Sequence, residues 1–172
     1  MASLSANSGS RIGRLSFGIT VVACLTALGT GCAGVVPMEP ADDANSPDCA
    51  AVTVRLPNTV DGQLKRETNA QATAAWGEPA SILLRCGIEP MGPTTLPCVN
   101  VNGIDWIRDE SQAPLYRFEA YGRVPTVEVI VDSAAKPPVS GTNALVDLAN
   151  AVSYLPQERQ CVGEADAYTL PQ

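Results

Sequence analysis

No histidine occurs anywhere in the 172-residue chain. That absence removes the commonest general base and the commonest metal ligand at neutral pH. Aromatic residues are scarce at 5 %, while apolar residues as a whole reach 45 %. The expected core is therefore aliphatic, built largely on Ala and Val. Clustered basic residues are missing as well. Arg11 and Arg14 precede an uncharged N-terminal stretch, which leaves nine basic residues beyond it against 18 acidic ones, a net of −9. A nucleic-acid surface needs grouped Lys and Arg, so nucleic acid is excluded as an expected partner. No CxxC pair occurs, and without His no tetrahedral zinc shell can be completed from the usual ligands. The residues imply no metal and no cofactor, and no catalytic residue is assigned.

What is present begins at the N-terminus. Leu15 to Val36 carries no charge and follows Arg11 and Arg14, the order of a secretory n-region and h-region, which places the rest of the chain outside the cytoplasm. Leu28-Gly29-Thr30-Gly31-Cys32 resembles a bacterial lipobox, in which Cys32 would be lipidated. An uncleaved membrane-spanning helix is the competing reading, since the run is long enough to cross a hydrocarbon core. Gly29, Gly31 and Gly34 make its second half a poor helix. The expected organisation is a leader or anchor over 1–32, a flexible spacer over 33–48, a domain over 49–162 and a tail over 163–172.

Setting aside Cys24 and Cys32, four cysteines remain, Cys49, Cys86, Cys98 and Cys161. In an exported domain they read as two disulfides, with three possible connectivities. The short Gly/Pro-rich loop between Cys86 and Cys98 favours that bridge, with Cys49–Cys161 joining the ends of the domain.

Alternation predicts strands at Ala51–Leu56, Ser81–Cys86, Cys98–Val101, Ile104–Ile107, Leu115–Tyr121 and Thr126–Val131. Asn102-Gly103 marks a hairpin. The Ala-rich Thr68–Trp76 predicts a short helix, and Leu145, Leu148, Val152 and Leu155 mark one face of an amphipathic helix within Thr142–Leu155. The expected fold is α+β, with two layers: a mainly antiparallel sheet of five to six strands, a short helix, and a C-terminal amphipathic helix on one face.

The stretches TNAQATAAWGEPASILLRCG, PTTLPCVNVNGIDW and YGRVPTVEVIVD resemble domain-of-unknown-function family 3515, over about Cys49 to Cys161. The resemblance implies an envelope-associated, exported actinobacterial protein, often with a lipoprotein-like leader. It implies no activity.

Several residues carry candidate chemistry. Ser133-Ala-Ala-Lys136 spells SxxK, a nucleophile motif that requires a helix to bring Lys back to Ser; Pro137 disfavours that helix, so the match is read as chance. Asp105, Asp109 and Glu110 are the densest carboxylates; the adjacent Asp109 and Glu110, leading into Pro114, read as solvated turn residues rather than a general acid–base pair. Trp76 and Trp106 read as core. Arg85 and Trp106 are the candidate binding residues, Arg85 either recognising an anion or pairing across the sheet. Arg123 reads as an exposed turn residue. The functional expectation is a non-enzymatic binding or structural module of the cell envelope, membrane-tethered, with an envelope protein or a cell-wall component as partner. A small His-independent, carboxylate-based hydrolase or transferase acting on a cell-wall component is the alternative.

Overall fold

A computed structural model describes residues 34–162. The leader expected over 1–32, with Cys32, and the tail 163–172 lie outside the described residues. Among the described residues no helix is long and apolar enough to cross a membrane.

The chain enters the fold earlier than its composition suggests. Val36 forms a parallel bridge with Thr68, and its N–H donates to the Glu67 carbonyl at 2.8 Å. The Arg66 guanidinium donates to Gly34 O at 2.7 Å, and Ala44 is buried. Most of the stretch read as a spacer is thus laid against the domain. Helix α1 (Pro47–Thr53) then begins with Ser46 as N-cap, Pro47 in its first turn and Asp48 beside it, a favourable helix start. It overlaps the strand expected at Ala51–Leu56. The helix instead buries Cys49 and Val52, three residues apart on one face.

Eight strands follow: β1 (Thr59–Val60), β2 (Gln63–Arg66), β3 (Thr73–Trp76), β4 (Ile82–Ile88), β5 (Cys98–Val101), β6 (Ile104–Gln112), β7 (Leu115–Ala120) and β8 (Thr126–Asp132). They form one antiparallel sheet in the order β1-β2-β3-β4-β8-β7-β6-β5. The α+β class holds, and the sheet is wider than the five to six strands expected. The helix expected over Thr68–Trp76 is instead β3, whose four residues are all buried; cover on both faces overrides the helix propensity of its alanines. Helix α2 (Gly141–Val152) closes the described fold, burying Leu145, Leu148 and Val152 as its periodicity predicts.

Alternation along the strands sorts the sheet into two faces. Ile82, Leu84 and Cys86 of β4, Val127, Val129 and Val131 of β8, Phe118 and Ala120 of β7 and Trp106 of β6 point to the helices and form the core with α1 and α2. The β1–β2 turn is fastened to α2 by Asp61, whose carboxylate accepts from Ser140 N–H and from Asn143 Nδ2. The opposite face is crossed by the loop 89–97, which runs from β4 in mid-sheet to β5 at the edge, over β8, β7 and β6.

All four domain cysteines are bridged, but as Cys49–Cys86 and Cys98–Cys161. The favoured Cys86–Cys98 pair is overturned by topology. Three strands separate β4 from β5, roughly 19 Å at one strand spacing each, and the two side chains leave opposite faces. Cys86 faces the core, where α1 presents Cys49. Cys98 lies on the outer face beside the C-terminal segment.

Candidate functional site

Where the N-terminal end of α2 meets β5 to β7, the helix-facing Val99, Val101 and Tyr116 are only partly buried. Val99 and Val101 of β5, Phe118 of β7, Val139 and Leu145 give a cleft of about 580 Å³ an apolar floor. On β6 the same face runs Ile104, Trp106, Arg108, Glu110: the first two are buried, and Arg108 and Glu110 reach the rim with about half their side-chain surface in solvent. Arg108 Nε lies 2.7 Å from Glu110 Oε1, yet the pair is poorly aligned and the buried Nε–H makes no hydrogen bond. Tyr116 and Thr142 line the cleft beside them. Gly141 allows α2 to start this close to the sheet, because a Cβ there would lie 2.8 Å from the Phe118 ring.

The outer face carries a second charged group. Arg85 of β4 donates to Glu128 of β8 at 2.8 Å, and Arg117 of β7 also reaches Glu128. Glu119 of β7 sits beside them, 4.0 Å from Arg117, and accepts the Met91 N–H of the crossing loop at 2.6 Å. Both carboxylates are buried, and both guanidiniums are partly exposed. Burial pushes the Glu119 carboxyl above the usual glutamate range; the Met91 N–H and Arg117 oppose the shift, and Glu128 adds to it. Two cations against two anions make a self-compensating cluster. A smaller cavity of about 270 Å³ beside Arg85 and Glu128 is walled by Pro37, Met38 and Glu39 of the N-terminal stretch.

The two residues singled out for binding do not meet. Arg85 belongs to the outer-face cluster, whereas Trp106 is fully buried on the core face, its Nε1–H without a partner among the described residues. Trp76 is equally buried and donates to the Pro57 carbonyl. Asp105 and Asp109 share the outer face of β6 but lie about 13 Å apart along the strand, too far for the two carboxylates of a glycosidase. Glu110 points to the other face. Asp105 is occupied in holding structure, accepting Cys161 N–H at 2.8 Å and Asn100 Nδ2 at 2.7 Å. The Asp109 carboxyl is held below its usual range by the Ser111 backbone N–H and hydroxyl, with a smaller contribution from Arg117. Ser133 stands in the turn after β8, its hydroxyl donating to Pro114 O, and no helix begins between it and Gly141. The SxxK spacing therefore has no catalytic geometry. Ligand atoms of Cys98, Asp105 and Cys161 come within 4.8 Å of one another, but the two sulfurs are joined in the disulfide and offer no thiolate to a metal.

Arg123 corrects its expectation outright. It is only 6 % exposed, and its Nη1 donates to the carbonyls of Ser153 and Leu155 just past the end of α2. Desolvation lowers its pKa, and Asp105 partly restores it. No local pattern announces this role, since the acceptors lie some 30 residues downstream. The cleft was equally illegible, being assembled from β5–β7 and α2; only the polar turn taken by β6 at Arg108 and Glu110 on an otherwise apolar face signals it.

No curated protein and no solved structure matches the chain. The family described as "Protein of unknown function (DUF3515)" matches residues 15–160, a span that takes in the cleft, the outer-face cluster and the stretches that carry the sequence resemblance, and the chain belongs to that family.

Proposed function

We propose that the chain is an extracytoplasmic binding module of the cell envelope, held to the membrane by lipidation at Cys32, with the cleft between β5–β7 and α2 as its ligand seat. The carrying observation is the cleft itself: about 580 Å³ of partly apolar space, in the range of small-molecule sites. The two disulfides support an oxidising compartment. The dispersal of Asp105, Asp109 and Glu110 over two faces speaks for binding rather than carboxylate catalysis. An envelope protein or a cell-wall component is the expected class of partner.

The test uses the full chain in cells, with a photo-crosslinking residue at Thr142 on the cleft wall or at Val54, which is 77 % exposed and outside the cleft. An adduct with an envelope component from Thr142, absent from Val54 and lost in Val101→Trp, supports the reading. Equal capture from both positions, or none, refutes it. Metabolic labelling with an alkyne-bearing fatty acid should mark the wild-type chain and not Cys32→Ala; a wild-type chain that takes up no label refutes the lipid tether.

A further inference from the structure

We infer that the cleft takes a single aliphatic chain ending in a carboxylate, a reading that rests on the cleft being the ligand seat. The floor consists of Val99, Val101, Val139 and Leu145 with the Phe118 ring edge. Branched aliphatic surface of this kind offers no directional donor or acceptor. It suits methylene groups, whose transfer from water yields about 0.8 kcal/mol each; of the polar residues that also line the cleft, Asn100, Ser133 and Ser140 already spend side-chain groups on Asp105, the Pro114 carbonyl and the Asn143 N–H.

The charged groups lie at the rim and not on the floor. Of the two, Arg108 is the anchored one: its Nε is buried beside the apolar floor and lacks an aligned acceptor, although a carboxylate oxygen is 2.7 Å away. Glu110, two residues along the same strand and near its bulged end, does not present that oxygen in line with the N–H. An Arg guanidinium is best satisfied by a carboxylate meeting its planar fork in two parallel bonds. Glu110 therefore occupies, imperfectly, the place of a ligand carboxylate. A free amphiphile whose tail lies along Val99 and Val101 brings its head to Arg108 without the constraint of the strand, and Glu110, about half in solvent, swings outward.

This arrangement gives the two rim residues opposite roles. Arg108 selects the carboxylate, and Glu110 competes with it. A purely structural ion pair would make both substitutions act in the same direction.

The experiment uses the full chain in nanodiscs of zwitterionic lipid, photolabelled with diazirine-bearing dodecanoate or with the matching dodecanol at equal concentration. Labelled positions are read by peptide mass spectrometry. The dodecanoate should label peptides carrying Val99–Val101 and Val139–Leu145 about tenfold more than the alcohol, the scale of one charge-assisted contact. Arg108→Gln should abolish that preference, and Glu110→Gln should raise dodecanoate labelling several-fold. Equal labelling of the cleft by both probes, unaffected by Arg108→Gln, overturns the carboxylate inference and leaves the seat in place. Labelling of neither cleft segment, or labelling that survives Val101→Trp, overturns the seat itself.

Discussion

Glu119 of β7 stands directly opposite Glu128 of β8 in the sheet register, and both side chains are at most 5 % exposed. Like charges placed this way repel. Arg85 and Arg117 both reach Glu128, whereas Glu119 has only a 4.0 Å approach from Arg117 and the Met91 N–H. Glu119 is thus the less compensated of the two, which is why burial raises its pKa.

The pH consequence follows with a definite sign. The folded state holds the Glu119 proton more tightly than the unfolded chain does, so this group's contribution to stability is full below the ordinary glutamate value of 4.5 and is lost as pH rises through the raised folded value. Glu119→Gln keeps an acceptor for Met91 and removes the charge. Its stability relative to wild type should grow with pH to a gain of roughly 0.5–1 kcal/mol at neutrality. Denaturant melts of both proteins across this range check it, and a difference independent of pH would refute it.

Arg123 bonds carbonyls that otherwise lack partners at the buried end of α2. Arg123→Met should cost roughly 2–3 kcal/mol, the scale of a lost charged hydrogen bond that leaves its acceptor unsatisfied. Urea unfolding measures the loss, and hydrogen exchange should show the last turn of α2 opening first. An exposed turn residue, as the sequence suggested, would give a change within about 0.5 kcal/mol.

Much of the C-terminal half was legible. Thr126–Asp132 and Leu115–Ala120 alternate cleanly, and Asn102-Gly103 adopts the positive φ values of 50° and 82° that a two-residue hairpin needs. The N-terminal part was misread for identifiable reasons. AVTVRL alternates over six residues, but Ser46-Pro47-Asp48 just before it is a helix start lying inside the stretch whose composition suggests a spacer. The alanines of Thr73–Trp76 suggested helix where small side chains instead fit a strand buried on both faces. The disulfide pairing failed on the same kind of long-range fact. Cys86 shares its face with Ile82 and Leu84, and Cys98 pairs across from Ile107 on the other face, but strand parity decides a pairing only once the strand order is known.

Gly122 holds a φ of +73°, and a Cβ there would lie 2.0 Å from the Arg159 carbonyl oxygen. Its own carbonyl accepts the N–H groups of Glu158 and Arg159. Gly122→Ala should therefore displace the segment from Gln157 to Cys161, with a loss of at least about 1 kcal/mol from the backbone conformation alone. Thermal denaturation gives the loss, and protease sensitivity confined to this segment locates it. Unchanged proteolysis would refute the packing.

The two disulfides differ in access. Cys49 and Cys86 are fully buried, whereas Cys98 is exposed on the edge strand. A mild dithiol applied to the folded protein should reduce Cys98–Cys161 first, and alkylation followed by mass spectrometry should find label on those two residues alone. Replacing either pair by serine should cost roughly 3–4 kcal/mol for loops of 37 and 63 residues. Simultaneous labelling of all four cysteines under native conditions would contradict the difference in burial.

The fastening of Gly34 and Val36 to β2 and the stretch after it leaves little slack toward the N-terminus. With Cys32 as the lipidated residue, only Ala33 separates the acylated backbone from the first hydrogen-bonded position, a leash of about 7 Å at full extension. On the proposed lipidation at Cys32, a module held that short would meet only what comes within a few ångströms of the lipid headgroups, which is where an amphiphile would be handed over.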